Sequence, residues 1–149
     1  MEFGNLQMYI DGDMKSSVDN LTKDIYSPLN GQKIASLAWG NQKDSLLALE
    51  SASKGFKVWS KLPLTKRKEW MSMLREKILE NEVLLRKAIS YEMGKPYSAT
   101  AEDIESITNS LKYYADIIDD FVKPNKIAVN DETHNHKLIS KPIGVVVAY

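Results

Sequence analysis

No cysteine occurs in the 149 residues, which excludes a disulfide, a thiolate-bound metal and a thiol nucleophile supplied by this chain. Histidine is almost as scarce, with 2 residues, His134 and His136. A surplus of one charge is also lacking, since 20 Lys+Arg stand against 20 Asp+Glu. A nucleic-acid surface needs basic residues in excess on one face, so no nucleic-acid partner is expected. Long apolar runs are missing too: no segment approaches the ~20 residues that span a bilayer. Residues 1–10 do not read as a leader, so no membrane partner and a cytoplasmic location are expected. What remains is an ordinary globular composition, 43% hydrophobic and 27% charged. A chain of this size that closed its own core would bury roughly 70% of its unfolded surface.

The first forty residues read as strands and turns. Met8-Tyr9-Ile10 closes on Asp11-Gly12, a pair that accepts the positive φ of a tight hairpin. Asp24-Ile25-Tyr26 and residues 33–39 flank Ser27-Pro28-Leu29-Asn30-Gly31-Gln32, where proline and Asn-Gly favour a reversal and a second hairpin. From about Lys43 to Val122 the apolar period changes from two to 3.6, which predicts four helices. Leu46, Leu49, Ala52, Phe56 and Trp59 stripe the first, which Pro63 stops. Thr65 is the expected N-cap of the second, which carries Trp70, Leu74 and Ile78. The third starts near Asn81, buries Leu85, Ala88 and Ile89, and ends at Gly94 and Pro96. The fourth has the clearest stripe, Ile104, Ile107, Leu111, Tyr114 and Ile118, and halts at Pro124.

Beyond Pro124, residues 126–129 and 137–139 are expected to pair across a polar connection. The segment from Ile143 to Tyr149 is β-branched and without polar alternation, the pattern of a strand covered on both faces of a parallel sheet. Such a strand needs neighbours, and none follows it, so the expectation is a fold opened at its first inner strand.

Few residues suggest chemistry. His134 and His136 would share one side of a strand, but two imidazoles without a third ligand read better as a polar hairpin tip than as a metal site. Trp39, Phe56, Trp59, Trp70, Tyr113 and Tyr114 have the spacing of core packing more than of a stacking platform. Lys66-Arg67-Lys68 reads as a solvated helix face. Glu92 shares the stripe of Leu85, Ala88 and Ile89 yet stands at a helix C-terminus, where desolvation and the helix dipole both oppose a carboxylate. It calls for a positive partner, either Lys95 or a bound cation completed by backbone carbonyls.

Six stretches in register resemble the N-terminal part of the aldehyde dehydrogenase superfamily. They are Tyr9-Ile10-Asp11-Gly12, Ser27-Pro28-Leu29-Asn30-Gly31, Phe56-x-x-Trp59, Glu92-Met93-Gly94-Lys95-Pro96, Tyr113-Tyr114-Ala115 and Lys141-Pro142-Ile143-Gly144-Val145-Val146. The resemblance covers nearly the whole chain but only about the first third of such an enzyme. It implies an α/β fold: residues 1–125 as the N-terminal strands and four helices of an NAD(P)-binding domain, 126–141 as an oligomerisation hairpin, and 142–149 as the first inner strand of a truncated dinucleotide-binding sheet. It implies oxidation of an aldehyde to an acid by a complete enzyme using NAD or NADP, through a cysteine nucleophile and a glutamate base. Those groups would lie downstream, so no catalytic or cofactor-binding residue, no bound NAD(P) and no turnover are expected of this chain alone. The resemblance also implies a Na or K ion at Glu92 and the carbonyl of Tyr26, although Met93 stands where the family often has threonine. Ser106, Asn109 and Ser110 would face the aldehyde tunnel, and a homo-oligomer would form through 126–141. The alternative reading is a non-catalytic oligomerising or partner-binding module.

Overall fold

The computed structural model describes residues 2–123, 125–126, 133–134 and 136–148. Two small sheets open the chain. Strands β2 (Met8–Ile10) and β3 (Asp13–Lys15) pair antiparallel with Ile10 opposite Asp13, so the hairpin loop is the two residues Asp11 and Gly12. Their φ values of 60° and 85° are those of the mirror-image turn whose twist suits a hairpin. The other sheet has three strands. Strands β4 (Thr22–Tyr26) and β5 (Lys33–Ala38) form the expected second hairpin, and β1 (Gly4–Leu6) adds parallel to the far edge of β5. Central β5 supplies the buried Ile34, Ala35 and Ala38.

Four helices follow, as the periodicity predicts. Helix α1 (Gln42–Trp59) starts on a capping box. The Asn41 side chain accepts from the N–H of Lys43 and Asp44, and Asp44 Oδ2 accepts from the Asn41 N–H at 2.9 Å. The other oxygen of Asp44 accepts from the Val18 N–H at 2.9 Å, and the residue is only 3% exposed. Asp44 therefore joins the loop after β3 to the helix, where the positive end of the dipole favours a carboxylate.

Helix α2 (Leu64–Glu80) begins after Pro63, and no side chain caps it. Thr65 lies inside the first turn, so its expected role as N-cap is corrected: Pro63, with no N–H and φ near −55°, already sets the entry. Arg67 donates to the carbonyls of Leu62 and Ser60 and so ties α2 to the end of α1. Lys68 pairs with Asp119 on the last helix, while Lys66 pairs with its exposed neighbour Glu69. The basic run is thus only partly the solvated face expected.

Asn81 ends α2 and starts α3 (Glu82–Met93). A 3₁₀ turn (Tyr97–Thr100) leads into α4 (Ala101–Val122). Arg86 braces this corner by donating to Thr100 Oγ1, the Tyr97 carbonyl and Glu82, with its guanidinium 4.4 Å from the Tyr97 ring. Helix α4 packs on α2 through a face that buries Ile104, Thr108 and Ala115. The predicted stripe is rotated from this face: Ile107 and Tyr114 are 48% and 58% exposed. Trp39, Trp59 and Trp70 are likewise about half exposed, which corrects the expectation that they fill a core.

After α4, Asn125–Lys126 (β6) pairs antiparallel with Lys137–Leu138 (β7), with Asn125 opposite Leu138. Most of the connection expected between them lies outside the described residues. Residues 143–148 join no strand ladder, although they were expected to read as a strand. Gly144 has φ +123°, which breaks the extended path, and no strand is offered for the rest to pair with. Residues 145–148 lie instead beside Ser45, Ala48, Leu49 and Ala52 of α1.

The total exposed surface is 11563 Å² for 16.9 kDa, against about 7,700 Å² for a compact monomer of that mass. The chain buries about half of its extended-chain surface, short of the roughly 70% expected of a closed core. No helix among the described residues is long and apolar enough to cross a membrane.

Replacing Asp44 with alanine leaves two buried-side N–H groups without acceptors and removes half the capping box. The expected loss is about 2–3 kcal/mol in chemical denaturation followed by circular dichroism. Lys43→Ala, which breaks only an exposed pair with Asp19, is expected to cost about 0.5 kcal/mol or less.

Candidate functional site

Two places in the fold gather the residues that the sequence singles out. The first is the seam between the β4–β5 turn and the end of α3. Ser27 is fully buried, and its hydroxyl donates to the Tyr91 carbonyl at 2.6 Å. Its own backbone closes the turn, with its N–H donating to the Gln32 carbonyl and its carbonyl accepting from the Gly31 N–H. Asn30 Oδ1 accepts from the Gln32 N–H, the short-range bond for which asparagine is favoured in turns. On the helix side, Gly94 ends α3 in the left-handed conformation, φ 74°. A Cβ at this position would stand 3.0 Å from Pro28 Cγ, so the left-handed backbone favours glycine and any side chain would press on Pro28.

Tyr26 ends β4 and Glu92 lies in the last turn of α3, so this seam carries both candidate cation ligands. Glu92 is exposed rather than desolvated, because its side chain points away from the β4–β5 turn that covers Ser90 and Tyr91 only in part. The expected pairing with Lys95 is also corrected: Lys95 reaches Asp103 of α4 at 2.7 Å, while Ser90 Oγ donates to the Lys95 carbonyl. The donors present are carboxylate and carbonyl oxygens, the hard type that suits Na or K. Among the described residues no three or more His, Cys, Asp or Glu side chains are grouped to hold a metal. A cation here would therefore rest on Glu92 and backbone oxygens.

The second place is the outward side of α4. Ser106, Asn109 and Ser110 are all exposed. At ~100° per residue they lie roughly opposite the face that packs on α2. Tyr113 continues this side one turn later and meets Tyr114 edge-on, with ring centroids 5.4 Å apart. The fold thus brings the three tunnel candidates onto one open hydroxyl- and amide-bearing surface. The rings of His134 and His136 are 6.2 Å apart, and Thr133 Oγ1 contacts His134 Nδ1.

Shifted acids and bases lie elsewhere, in exposed ion pairs. Asp24 is held below the ordinary carboxylate range by Lys33 and Ser36, Asp116 by Lys112, and Asp120 by Lys123. These belong to strand and helix surfaces and not to a reaction cleft. The residues that sequence reasoning missed are structural: Asp44, Arg86 and the buried hydroxyl of Ser27. An Asn-x-x-Asp spacing before an apolar periodic segment is the signal that would have found Asp44.

Comparison with known proteins agrees with this architecture. The sequence profile of the aldehyde dehydrogenase family matches residues 15–148. The chain is 29% identical over 145 residues to D-glyceraldehyde dehydrogenase (NADP(+)) of Thermoplasma acidophilum, an alignment that covers 95% of this chain and 29% of that protein. It is 29% identical over 143 residues to aldehyde dehydrogenase [NAD(P)+] 2 of Saccharomyces cerevisiae, with 95% of this chain and 28% of that one covered. The crystal structure of betaine aldehyde dehydrogenase from Staphylococcus aureus in complex with NAD+ superposes with a TM-score of 0.85 at 25% identity. That superposition covers 91% of this chain and 27% of the other. The four helices and small sheets match the N-terminal part of such structures. This chain spans less than a third of the length of these relatives, and it belongs to the aldehyde dehydrogenase family.

Proposed function

We propose that this chain is the N-terminal scaffold of an NAD(P)-dependent enzyme that oxidises an aldehyde to a carboxylic acid, and that alone it does not turn over. The observation that carries this reading is the zero cysteine count in a chain that covers only 27–29% of its relatives. Aldehyde oxidation of this type needs a strong nucleophile to form the tetrahedral adduct, and donors to hold the developing oxyanion. None of the candidate residues fills either role, and nicotinamide cofactor, when bound, supplies the hydride acceptor from outside this chain's own residues. The contribution of these 149 residues is geometric. Helix α4 would present Ser106, Asn109 and Ser110 to the incoming aldehyde. The seam at Tyr26 and Glu92 would hold a Na or K ion that braces the β4–β5 turn against α3. The hairpin at 126–141 would extend a neighbouring subunit's sheet, since an exposed strand edge offers unpaired N–H and C=O groups to an added strand.

A second reading, a non-catalytic module that binds copies of itself or a partner, is favoured by one observation: the surface is about 1.5 times that of a compact monomer of this mass, with large apolar side chains exposed on every helix.

The purified chain, incubated with NAD or NADP and a panel of short aldehydes, is expected to yield no reduced cofactor at 340 nm. Turnover above the buffer blank would overturn the scaffold reading. For the ion, replacing NaCl or KCl with a bulky organic cation at equal ionic strength is expected to lower the melting temperature. Glu92→Gln is expected to abolish that difference, and an unchanged difference would remove Glu92 from the site. Gly94→Ala is expected to cost about 1–3 kcal/mol at any salt, since it strains a left-handed residue against Pro28.

A further inference from the structure

The turn between β4 and β5 holds the one Asn-Gly pair of the sequence, Asn30-Gly31. Such a pair is prone to a spontaneous reaction, because no Cβ shields the glycine nitrogen as it approaches the asparagine side-chain amide. Two bonds in this turn act on that reaction in opposite directions. The Gln32 N–H donates to Asn30 Oδ1 at 3.0 Å. A donor so placed polarises the amide and stabilises the charge that grows on its oxygen during attack. The Gly31 N–H, in contrast, donates to the Ser27 carbonyl at 2.8 Å, so the attacking nitrogen has its proton engaged and directed at Ser27. Ser27 in turn is held in place, since its hydroxyl donates to the Tyr91 carbonyl at 2.6 Å and its N–H to the Gln32 carbonyl at 2.9 Å. Every atom in this balance belongs to residues 27–32 or to Tyr91.

We infer that Asn30-Gly31 is a latent site of self-modification, a succinimide-forming pair whose amide carbonyl is polarised by Gln32 and whose nitrogen is withheld by the Ser27 seam. When the turn opens, the Gly31 nitrogen gives its proton to hydroxide and attacks Asn30 Cγ. The new C–N bond closes a cyclic imide, the Cγ–Nδ2 bond breaks, and the leaving nitrogen takes a proton from water and departs as ammonia. Water then opens the ring at one of its two carbonyls. The product at position 30 is either an aspartate or an isoaspartyl link, in which the chain runs through the former side chain. No electron changes hands, and the net change is one amide hydrolysed. The isoaspartyl link adds a methylene to the main chain inside the turn, so the Gly31 N–H no longer meets the Ser27 carbonyl in register and the turn loses its seat on α3. The closed turn thus sets the chemical lifetime of the seam, independently of any aldehyde chemistry.

Incubation of the purified chain at mildly alkaline pH tests this, with conversion read by peptide mapping in a mass spectrometer and by isoaspartyl methyltransferase labelling. In concentrated guanidinium chloride, where the turn is lost, Asn30 is expected to convert faster than any other asparagine of the chain. In buffer its conversion is expected to be slower by about tenfold or more, because only the locally opened fraction reacts. Ser27→Ala removes the hydroxyl bond to Tyr91 and keeps the backbone carbonyl, and it is expected to raise the rate in buffer about fivefold. Gly94→Ala presses on Pro28 from the helix side and is expected to raise it as well, so either variant serves if its circular dichroism matches the parent. Equal rates in buffer and in denaturant would overturn the inference, since the closed turn would then withhold nothing. So would a folded Ser27→Ala or Gly94→Ala chain that converts at the parent's rate, because the restraint would not come from the seam. An Asn30 that stays intact in denaturant would remove the site altogether.

Discussion

The hydrogen bond from the Ser27 hydroxyl to the Tyr91 carbonyl joins two parts of the molecule 64 residues apart in sequence. Its worth comes from where the acceptor lies. Tyr91 is in the last turn of α3, where carbonyls have no intrahelical donor, and the negative end of the dipole makes an unmet acceptor costly. Ser27 meets that need while its N–H and carbonyl close its own turn. One residue with no solvent exposure thus sets both the shape of the β4–β5 reversal and its position on the helical layer. Gly94 is the matching constraint on the helix side, since its missing Cβ lets Pro28 approach. The positions of Tyr26 and Glu92 follow from this seam.

Polar joints of this kind recur. Asp44 binds the loop after β3 to the start of α1, Arg86 with Thr100 closes the α3–α4 corner, and Lys95 reaches Asp103 across it. The fully or nearly buried apolar residues among those described are few: Ile34, Ala35, Ala38, Ile104 and Ala115. Hydrogen bonds are directional and lose much of their net value to water, so these joints fix orientation more than they supply stability. The apolar area that would supply it is present but uncovered on all four helices. The expected consequence is a chain with well-defined local geometry and small global stability, because hydrophobic gain scales with area removed from water.

What was legible in the sequence follows the range of the interactions. Hairpins set by two residues, such as Asp11-Gly12, and helix ends set by Gly94 or Pro63 were readable, because one or two backbone torsions decide them. The parallel addition of β1 to β5 was not, since a three-residue strand carries too little period to register. The role of Ser27 was invisible for another reason: a hydroxyl finds a helix end 64 residues away only through the fold. Glu92 shows the opposite failure. It shares the spacing of Leu85, Ala88 and Ile89, yet its side chain is exposed while theirs are half-buried. For the α4 face, helical spacing alone puts Ser106, Asn109 and Ser110 on one side, which the fold leaves exposed.

Helix α4 makes the general point. Its sequence stripe runs through Ile104, Ile107, Leu111, Tyr114 and Ile118, whereas the chain itself buries Ile104, Thr108 and Ala115. Both patterns have helical period, and they differ by a rotation of the apolar arc. An arc wider than one packing partner can cover belongs to a helix with two neighbours, and α2 is one of them. Ile107 and Tyr114 lie on the side that α2 does not reach. The burial that periodicity encodes is that of the complete assembly, and the burial in the fold is what the chain achieves with itself. The residues on which the two disagree are Ile107 and Tyr114, apolar positions of the stripe that the described residues leave uncovered. On α4 those residues lie alongside the packed face, and Ser106, Asn109 and Ser110 stand exposed on the opposite side.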